Sequence, residues 1–187
     1  MKWYDVFSNF YDNSLEKLYF SSRKRAIELL DLRDHLTVMD LACGTGANFT
    51  HILPANNTIM LYGTDYSPGM LNKAQNLIKK NQWDNVKLFQ ADARTLSTES
   101  IEKYIGKKIK FDGILCVLGL SVVPQWEIVL DNLIELLNDN GKIVIVDVYA
   151  EKRTFHKWLI EKIAKSTEKF GKHWKLKQRI FIRNICP

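Results

Sequence analysis

The feature that most constrains this chain is a glycine-rich turn that directly follows a run of apolar residues. Residues 37–42 read TVMDLA, which is typical of a buried strand, and the next four residues, CGTG, lead into a short helical segment. Glycines at positions 44 and 46 permit a tight turn and let the backbone approach a ligand closely. The start of the following helix also offers unpaired N–H groups. The pattern therefore predicts a strand, a turn and a helix that together hold a polar ligand.

The residues around the turn discriminate between three kinds of ligand site. A Walker A phosphate loop requires Gly-Lys-Ser/Thr after the turn, and the sequence does not contain it there. A dinucleotide site requires a third glycine, where this chain has Phe49. Asp40, just before the turn, would repel a pyrophosphate but attract a cofactor with a cationic amino-acid end and a sulfonium. The turn therefore favours a sulfonium cofactor over a dinucleotide.

The rest of the chain alternates short apolar runs with amphipathic ones, which is typical of repeated strand–helix units around a parallel α/β sheet. Ser67 followed by Pro68 indicates a helix start, and Asn140-Gly141 indicates a helix end. A short helix after the glycine turn should stop near Pro54. Further strands are predicted over 58–65, 85–92, 110–119, 142–149 and 177–185, and further helices over 14–31, 68–80, 125–138 and 152–169.

At these residues the chain resembles the class I S-adenosylmethionine (SAM)-dependent methyltransferases. Their first motif runs from an apolar strand through Asp or Glu to a turn of the form Cys/Gly-Gly-x-Gly. Residues 38–46, VMDLACGTG, match that motif, and the resemblance covers about residues 1–150. It implies a three-layer, Rossmann-like α/β fold with a mostly parallel sheet, and SAM as the cofactor.

The resemblance also implies a cofactor site at the carboxyl ends of the strands. Asp65 ends the second strand, where its carboxylate would accept hydrogen bonds from both ribose hydroxyls, and Tyr66 and Met70 would pack on the adenine. Asp92 would bind the adenine amino group and the N–H of Ala93 a ring nitrogen. Taken singly, each carboxylate is equally well explained as a strand-end or capping residue. The predicted cofactor-binding residues are Asp40, Ala42, Cys43, Gly44, Gly46, Asp65, Tyr66, Met70, Asp92, Ala93 and Cys116.

The acceptor is less constrained than the cofactor. Methyl transfer from a sulfonium mainly requires alignment and exclusion of water, and the sequence shows neither a catalytic triad nor a metal-binding pattern. Residues 115–126, LCVLGLSVVPQW, are apolar and lack the NPPY-type signature of nucleobase methyltransferases. This favours a small or apolar acceptor over a nucleic acid.

The N-terminal segment is rich in aromatic residues. Residues 4–30 resemble the branch that contains ubiquinone methyltransferases and bacterial phosphatidylethanolamine N-methyltransferases, which implies a phospholipid amine or a quinone-like acceptor. Tyr4, Tyr11 and Tyr19 are candidate acceptor contacts in a lid over the cleft, and His156 is a candidate base. The alternative for the aromatic residues is a helix that packs on the sheet.

The positive charge of the chain is concentrated at its C-terminal end. The net charge is +6, but residues 151–187 alone carry eleven Lys or Arg and three Asp or Glu. A basic helix with Phe155 and Trp158 on its apolar face suits an anionic membrane interface, and a helix packed on the sheet explains the pattern as well. Two alternative functions stay open: an RNA-associated methyltransferase that uses the tail as a phosphate-binding arm, and a non-catalytic SAM-binding protein.

The length of 187 residues predicts one methyltransferase domain, with a lid over 1–36, a SAM-binding core over 37–150 and a basic helix and strand over 151–187. Cys43, Cys116 and Cys186 are an odd number without metal-like spacing, and no signal-peptide core is present. We therefore expect a cytoplasmic protein, peripherally associated with the membrane. The 38 residues after Tyr149 suggest a shortened C-terminal hairpin, whose edge strand would allow a homodimer.

Overall fold

The computed structural model describes residues 19–147 and 179–184. Its centre is a six-stranded sheet with the order β3-β2-β1-β4-β5-β6. Neighbouring strands are parallel from β3 to β5, and β6 runs antiparallel to β5. The strands are β1 (Thr37–Leu41), β2 (Met60–Asp65), β3 (Val86–Gln90), β4 (Phe111–Val117), β5 (Leu137–Asp147) and β6 (Arg179–Asn184).

Helices cover both faces of this sheet, because its strands are apolar on both sides. In β1, Val38 belongs to one core cluster and Met39 to the other, as expected when successive side chains point to opposite faces. The first cluster packs under α1, α2 and α3, and the second under α4 and α5. The helices are α1 (residues 19–30), α2 (Phe49–Ala55), α3 (Pro68–Asn81), α4 (Thr98–Ile105) and α5 (Trp126–Glu135).

The first half of the predicted element order is confirmed to within about two residues. The side chain of Ser67 accepts a hydrogen bond from the N–H of Met70, and Pro68 is the first residue of α3. Helix α2 ends one residue after Pro54. These boundaries are set by local chemistry, namely a capping side chain and a proline without an N–H.

The second half departs from the prediction in two places. Helix α4 lies where no element was expected, because among its eight residues only Ile101 is buried and the apolar period is short. The predicted helix end at Asn140-Gly141 is wrong: α5 already ends at Glu135, and Leu137 pairs with Phe111. The chain enters the sheet early because Leu136 and Leu137 are both buried. Asn140 and Gly141 therefore lie inside β5, beside a shift in its register with β4.

Several expectations concern residues outside the described ranges. The lid with Tyr4 and Tyr11, the basic helix over 152–169 and His156 all fall there. Of the described helices, none combines the length and the apolar composition needed to cross a bilayer.

Candidate functional site

The predicted cofactor residues lie at the carboxyl ends of four neighbouring strands, β3, β2, β1 and β4. Leu41, the last residue of β1, pairs with Thr64 of β2 on one side and with Cys116 of β4 on the other. The glycine turn after β1 therefore lies between the end of β2 and the end of β4. In open α/β sheets this edge is where ligands bind.

The glycine turn is held in a left-handed backbone conformation. Ala42, Gly44 and Gly46 have φ values of 53°, 56° and 87°. The N–H of Cys43 donates to the carbonyl of Thr64 over 3.0 Å, which fastens the turn to β2. A Cβ at Gly46 would lie 2.7 Å from the ring of Phe49, whereas one at Gly44 would meet no described atom within 4 Å. Packing thus requires Gly46, while Gly44 borders open space into which a ligand fits.

Asp65 joins the turn after β2 to the turn after β1. Its Oδ2 accepts from the N–H of Gly44 over 2.9 Å, and its Oδ1 accepts from the N–H of Ser67 over 2.8 Å. Burial raises the pKa of this carboxyl, and the backbone donors oppose that change. The N–H of Tyr66 is a third backbone donor to this carboxylate, so Asp65 holds the turn and keeps accepting capacity for a ligand hydroxyl.

Asp40 lies underneath the turn rather than on its open side. It is completely buried, and its Oδ1 accepts from Nδ2 of Asn48 over 2.7 Å. Burial raises its pKa to about 7, against the hydrogen bond from Asn48 and the charge of Arg23. Among the described residues no donor reaches Oδ2. An orphaned buried oxygen of this kind is suited to a ligand or to a water molecule that bridges to one.

Asp92 has a partner that the sequence reasoning missed. Arg94 donates to it from Nε and from a terminal guanidinium nitrogen, at 3.0 and 2.5 Å, and the N–H of Arg94 donates as well. These bonds hold the pKa of Asp92 below its usual value. Ala93 begins the short 3-10 turn Ala93–Thr95. A base edge would therefore share the Asp92 carboxylate with Arg94. The spacing of Arg94 two residues after Asp92 in the sequence could have indicated this pair.

Two other predicted residues flank the turn differently. Tyr66 is 65% exposed directly after β2, so its ring is available to a ligand. The side chain of Met70 is partly buried in the first turn of α3. Both lie on the same side as Asp65, as the prediction of an adenine contact requires.

Cys116 marks the side of β4. It is buried, and burial raises the pKa of its thiol, with further contributions from Asp147 and Asp40. Next to it, a Cβ at Gly119 would lie 2.4 Å from Cβ of Ala42, so the loops after β1 and β4 touch almost backbone to backbone. Cys116 therefore lies buried beneath the loop that follows β4, and its thiol stays protonated.

Tyr19 is the one predicted acceptor contact within the described residues. It is 7% exposed, and burial, followed by the charge of Asp147, raises the pKa of its hydroxyl. Asp147, at the end of β5, accepts a hydrogen bond from the N–H of Ser121 over 2.6 Å. Tyr19 thus lies in α1 near the loop that follows β4, on the side where an acceptor would enter.

The opposite edge of the sheet carries a cavity of about 410 Å³. Three of its charged side chains have partners: Lys142 pairs with Asp31 at 3.1 Å, and Asp112 accepts from the N–H of Thr37 at 2.8 Å. This cavity contains none of the predicted site residues.

Comparison with known sequences identifies the family of this chain. Residues 32–182 match a family described as Methyltransferase domain. O-methyltransferase 3 of Dictyostelium discoideum is 30% identical over 137 residues, 72% of this chain and 30% of that protein. Demethylmenaquinone methyltransferase of Desulfitobacterium hafniense is 27% identical over 149 residues, 79% of this chain and 54% of that protein. Phosphatidylethanolamine N-methyltransferase of Cereibacter sphaeroides is 28% identical over 145 residues, which are 76% of this chain and 65% of that protein. The chain thus spans 30% to 65% of the length of these relatives.

Comparison with solved structures confirms the predicted fold. Coclaurine N-methyltransferase, bound to N-methylheliamine and SAH, superposes with a TM-score of 0.62 at 17% identity. The match covers 75% of this chain and 38% of that one. At this identity the likeness concerns the Rossmann-like arrangement of strands and helices.

Proposed function

Because this chain belongs to the methyltransferase domain family, we propose that it is an enzyme that transfers the methyl group of SAM to a small-molecule or lipid acceptor. The single observation that carries the proposal is the hydrogen bond between Gly44 and Asp65. It joins a turn that is open towards a ligand to a carboxylate that retains free lone pairs. Such a pair fits a nucleoside that presents two adjacent hydroxyls.

The described residues fit SAM along the whole carboxyl edge. Asp65 would accept the ribose hydroxyls, and the exposed ring of Tyr66 would cover the adenine. Asp92 would receive the adenine amino group beside Arg94. The orphaned oxygen of Asp40 would act on the cationic methionine end, through its charge and through a bridging water.

The reaction itself asks little of the protein beyond alignment. An electron pair of the acceptor, from an amine nitrogen or a quinone-type carbon, would take the methyl group in line, and the electrons of the broken carbon–sulfur bond would stay on sulfur. The cofactor supplies the activated methyl group, and the chain must exclude water and orient the acceptor. Tyr19, near Asp147, is the described side chain that we assign to the acceptor side.

Apolar residues near this side favour a lipid or quinone-like acceptor. Val122 and Trp126, which follow β4, are 45% and 41% exposed, although large apolar side chains are usually buried. The relatives named for demethylmenaquinone and phosphatidylethanolamine support the same chemistry.

We further propose that the basic segment over 151–187 contacts an anionic membrane peripherally. We also propose that two copies of the chain associate through β6, whose outer edge would pair with a second chain.

The cofactor part of the proposal is tested by calorimetry with Asp65→Ala. This variant should bind SAM about 10- to 100-fold more weakly, since it loses hydrogen bonds to a charged group. Asp84→Ala, which removes an exposed carboxylate from the loop before β3, is the matched control and should bind normally. Equal SAM binding by both variants, or uptake of NAD instead of SAM, would contradict the assignment.

The acceptor part is tested by incubating the protein with methyl-labelled SAM and a total cell extract. Label in the lipid or quinone fraction supports the proposal. Label in RNA would instead support the alternative in which the basic segment, with its eleven Lys or Arg, binds phosphates. Cofactor binding without label in any fraction would indicate a non-catalytic SAM-binding protein.

A further inference from the structure

Three buried polar side chains connect helix α1 with the base of the glycine turn. Arg23 of α1 is 7% exposed and donates a hydrogen bond to Oδ1 of Asn48. Asn48 is 2% exposed and donates through Nδ2 to Oδ1 of Asp40 over 2.7 Å. Burying so many polar groups is unfavourable unless they bond to one another. The three side chains are therefore linked by two hydrogen bonds, and a change in one of them affects the others.

The hydrogen bonds in this unit have a fixed direction. A guanidinium only donates, so Asn48 must turn its carbonyl oxygen towards Arg23. The amide nitrogen of Asn48 then faces Asp40, where it needs an accepting oxygen. Asn48 donates to Oδ1 in either form of Asp40, but the hydrogen bond is stronger when that oxygen belongs to a charged carboxylate. The arrangement therefore favours the ionised form of Asp40.

The charges around Asp40 act in opposite directions. Burial is the largest influence and raises its pKa to about 7, and Asp65 at the end of β2 raises it further. The hydrogen bond from Asn48 and the charge of Arg23 lower it. The thiols of Cys43 and Cys116 also face Asp40, and burial raises both of their pKa values, so neither is ionised near neutral pH. Arg23 supplies the positive charge that lowers the pKa of Asp40.

We propose that Arg23 is a positioning residue for the cofactor, which acts through Asn48 to keep Asp40 ionised beneath the turn. The inference rests on the proposed placement of SAM. An ionised Asp40 presents a negative charge to the ammonium and sulfonium groups of SAM. Removing Arg23 raises the pH at which Asp40 loses its proton, so a smaller fraction of Asp40 is ionised at neutral pH and the attraction weakens. Cofactor affinity thus depends on a residue of α1 that does not have to contact the cofactor.

The test compares how the affinities of SAM and SAH depend on pH in matched variants. The wild-type affinity for SAM should rise as pH increases through about 7, because the ionised form of Asp40 binds. In Arg23→Met the midpoint should move upward by about one pH unit, so that affinity at neutral pH falls about fivefold. SAH has no sulfonium charge and should show a smaller dependence. Arg23→Lys, which keeps the cation, should restore most of the wild-type midpoint.

Arg25→Met is the matched control, because Arg25 lies on the same helix, is exposed and pairs with Glu28. It should leave the pH profile unchanged. Should Arg23→Met fail to fold, Asn48→Asp breaks the same connection with a side chain of equal size. It keeps an acceptor for Arg23, removes the donor that faces Asp40 and adds a second carboxylate beside it, so the midpoint should move upward at least as far as in Arg23→Met.

The proposal is overturned if wild type binds SAM in a pH-dependent way but Arg23→Met and Asn48→Asp keep its midpoint. It is equally overturned if carbon NMR of the Asp40 carboxyl, assigned with Asp40→Asn, gives the same titration midpoint in all variants. The NMR measurement needs no cofactor. It therefore decides the role of Arg23 even if the chain binds no SAM, a result that would contradict only the proposed function.

Discussion

At the scale of single residues, two non-glycine residues with left-handed backbone conformations and a buried carboxyl group lie at the carboxyl edge of the sheet. Ala42 and Leu118 have φ values of 53° and 61° although neither is a glycine. Asp40, two residues before Ala42, is completely buried, and burial raises its pKa to about 7. Such features persist only where the surrounding structure holds them, and they cluster at functional sites. Their position supports the assignment of this edge to cofactor binding.

The two glycines of the turn should respond differently to the same substitution. Gly46→Ala should lower the free energy of unfolding by roughly 2–4 kcal/mol, because its Cβ would combine a positive φ with a 2.7 Å contact to Phe49. Gly44→Ala meets no described atom and should cost roughly 1–2 kcal/mol. Urea denaturation measures both values. Equal losses would show that packing against Phe49 does not distinguish the two positions.

At the scale of elements, α3 carries local signals at both of its ends. Ser67 caps its first turn, Pro68 occupies its first position, and Lys79 and Lys80 lie in its last turn, where cations interact favourably with the helix dipole. Gln82 ends the helix in a left-handed conformation at φ 55°. This helix places Ser67 beside Asp65, so its start is also part of the candidate site.

The cap of α3 can be tested on its own. Ser67→Ala removes the acceptor for the N–H of Met70 and should lower the free energy of unfolding by about 1 kcal/mol. Ser67→Thr preserves a hydroxyl at the cap and should stay close to wild type. Thermal or urea unfolding gives both values. A loss of the same size in Ser67→Thr would mean that the hydroxyl is not what stabilises the start of α3.

At the scale of the whole molecule, the predicted binding residues and the ion pair between Lys142 and Asp31 lie at opposite edges of the sheet. The helices on both faces keep the strands dry, so the carboxylates Asp40 and Asp65 both have raised pKa values. The fold therefore makes its global stability sensitive to pH.

That sensitivity predicts how stability changes with pH. A carboxyl with a raised pKa in the folded state binds more protons folded than unfolded, so its contribution is largest below about pH 4 and is lost as pH rises through about 7. Asp40→Asn should remove much of this decline and be more stable than wild type at pH 8, by roughly 2–4 kcal/mol. Urea unfolding at a series of pH values provides the test. Parallel curves for the two proteins would contradict it.

The sequence by itself determined the features whose physical cause is local. Apolar runs marked β1, β2 and β3, the glycines marked the turn, and Ser67 with Pro68 marked the start of α3, because each signal lies within a few neighbouring residues. Asp65 could be predicted as the last residue of β2, because the end of an apolar run is visible in the sequence. The family match confirms the resemblance that these residues carried, and with it SAM as the cofactor.

Only the tertiary structure decided the features that depend on how the elements pack. The early end of α5 follows from burial of Leu136 and Leu137 beside β4, which overrides the turn chemistry of Asn140-Gly141. The connection from Arg23 to Asp40 joins a helix, a turn and a strand, and no spacing in the sequence announces it. A polar residue in a sequence shows what it can donate or accept, but its partner is fixed only when a helix settles on a sheet and excludes water between them.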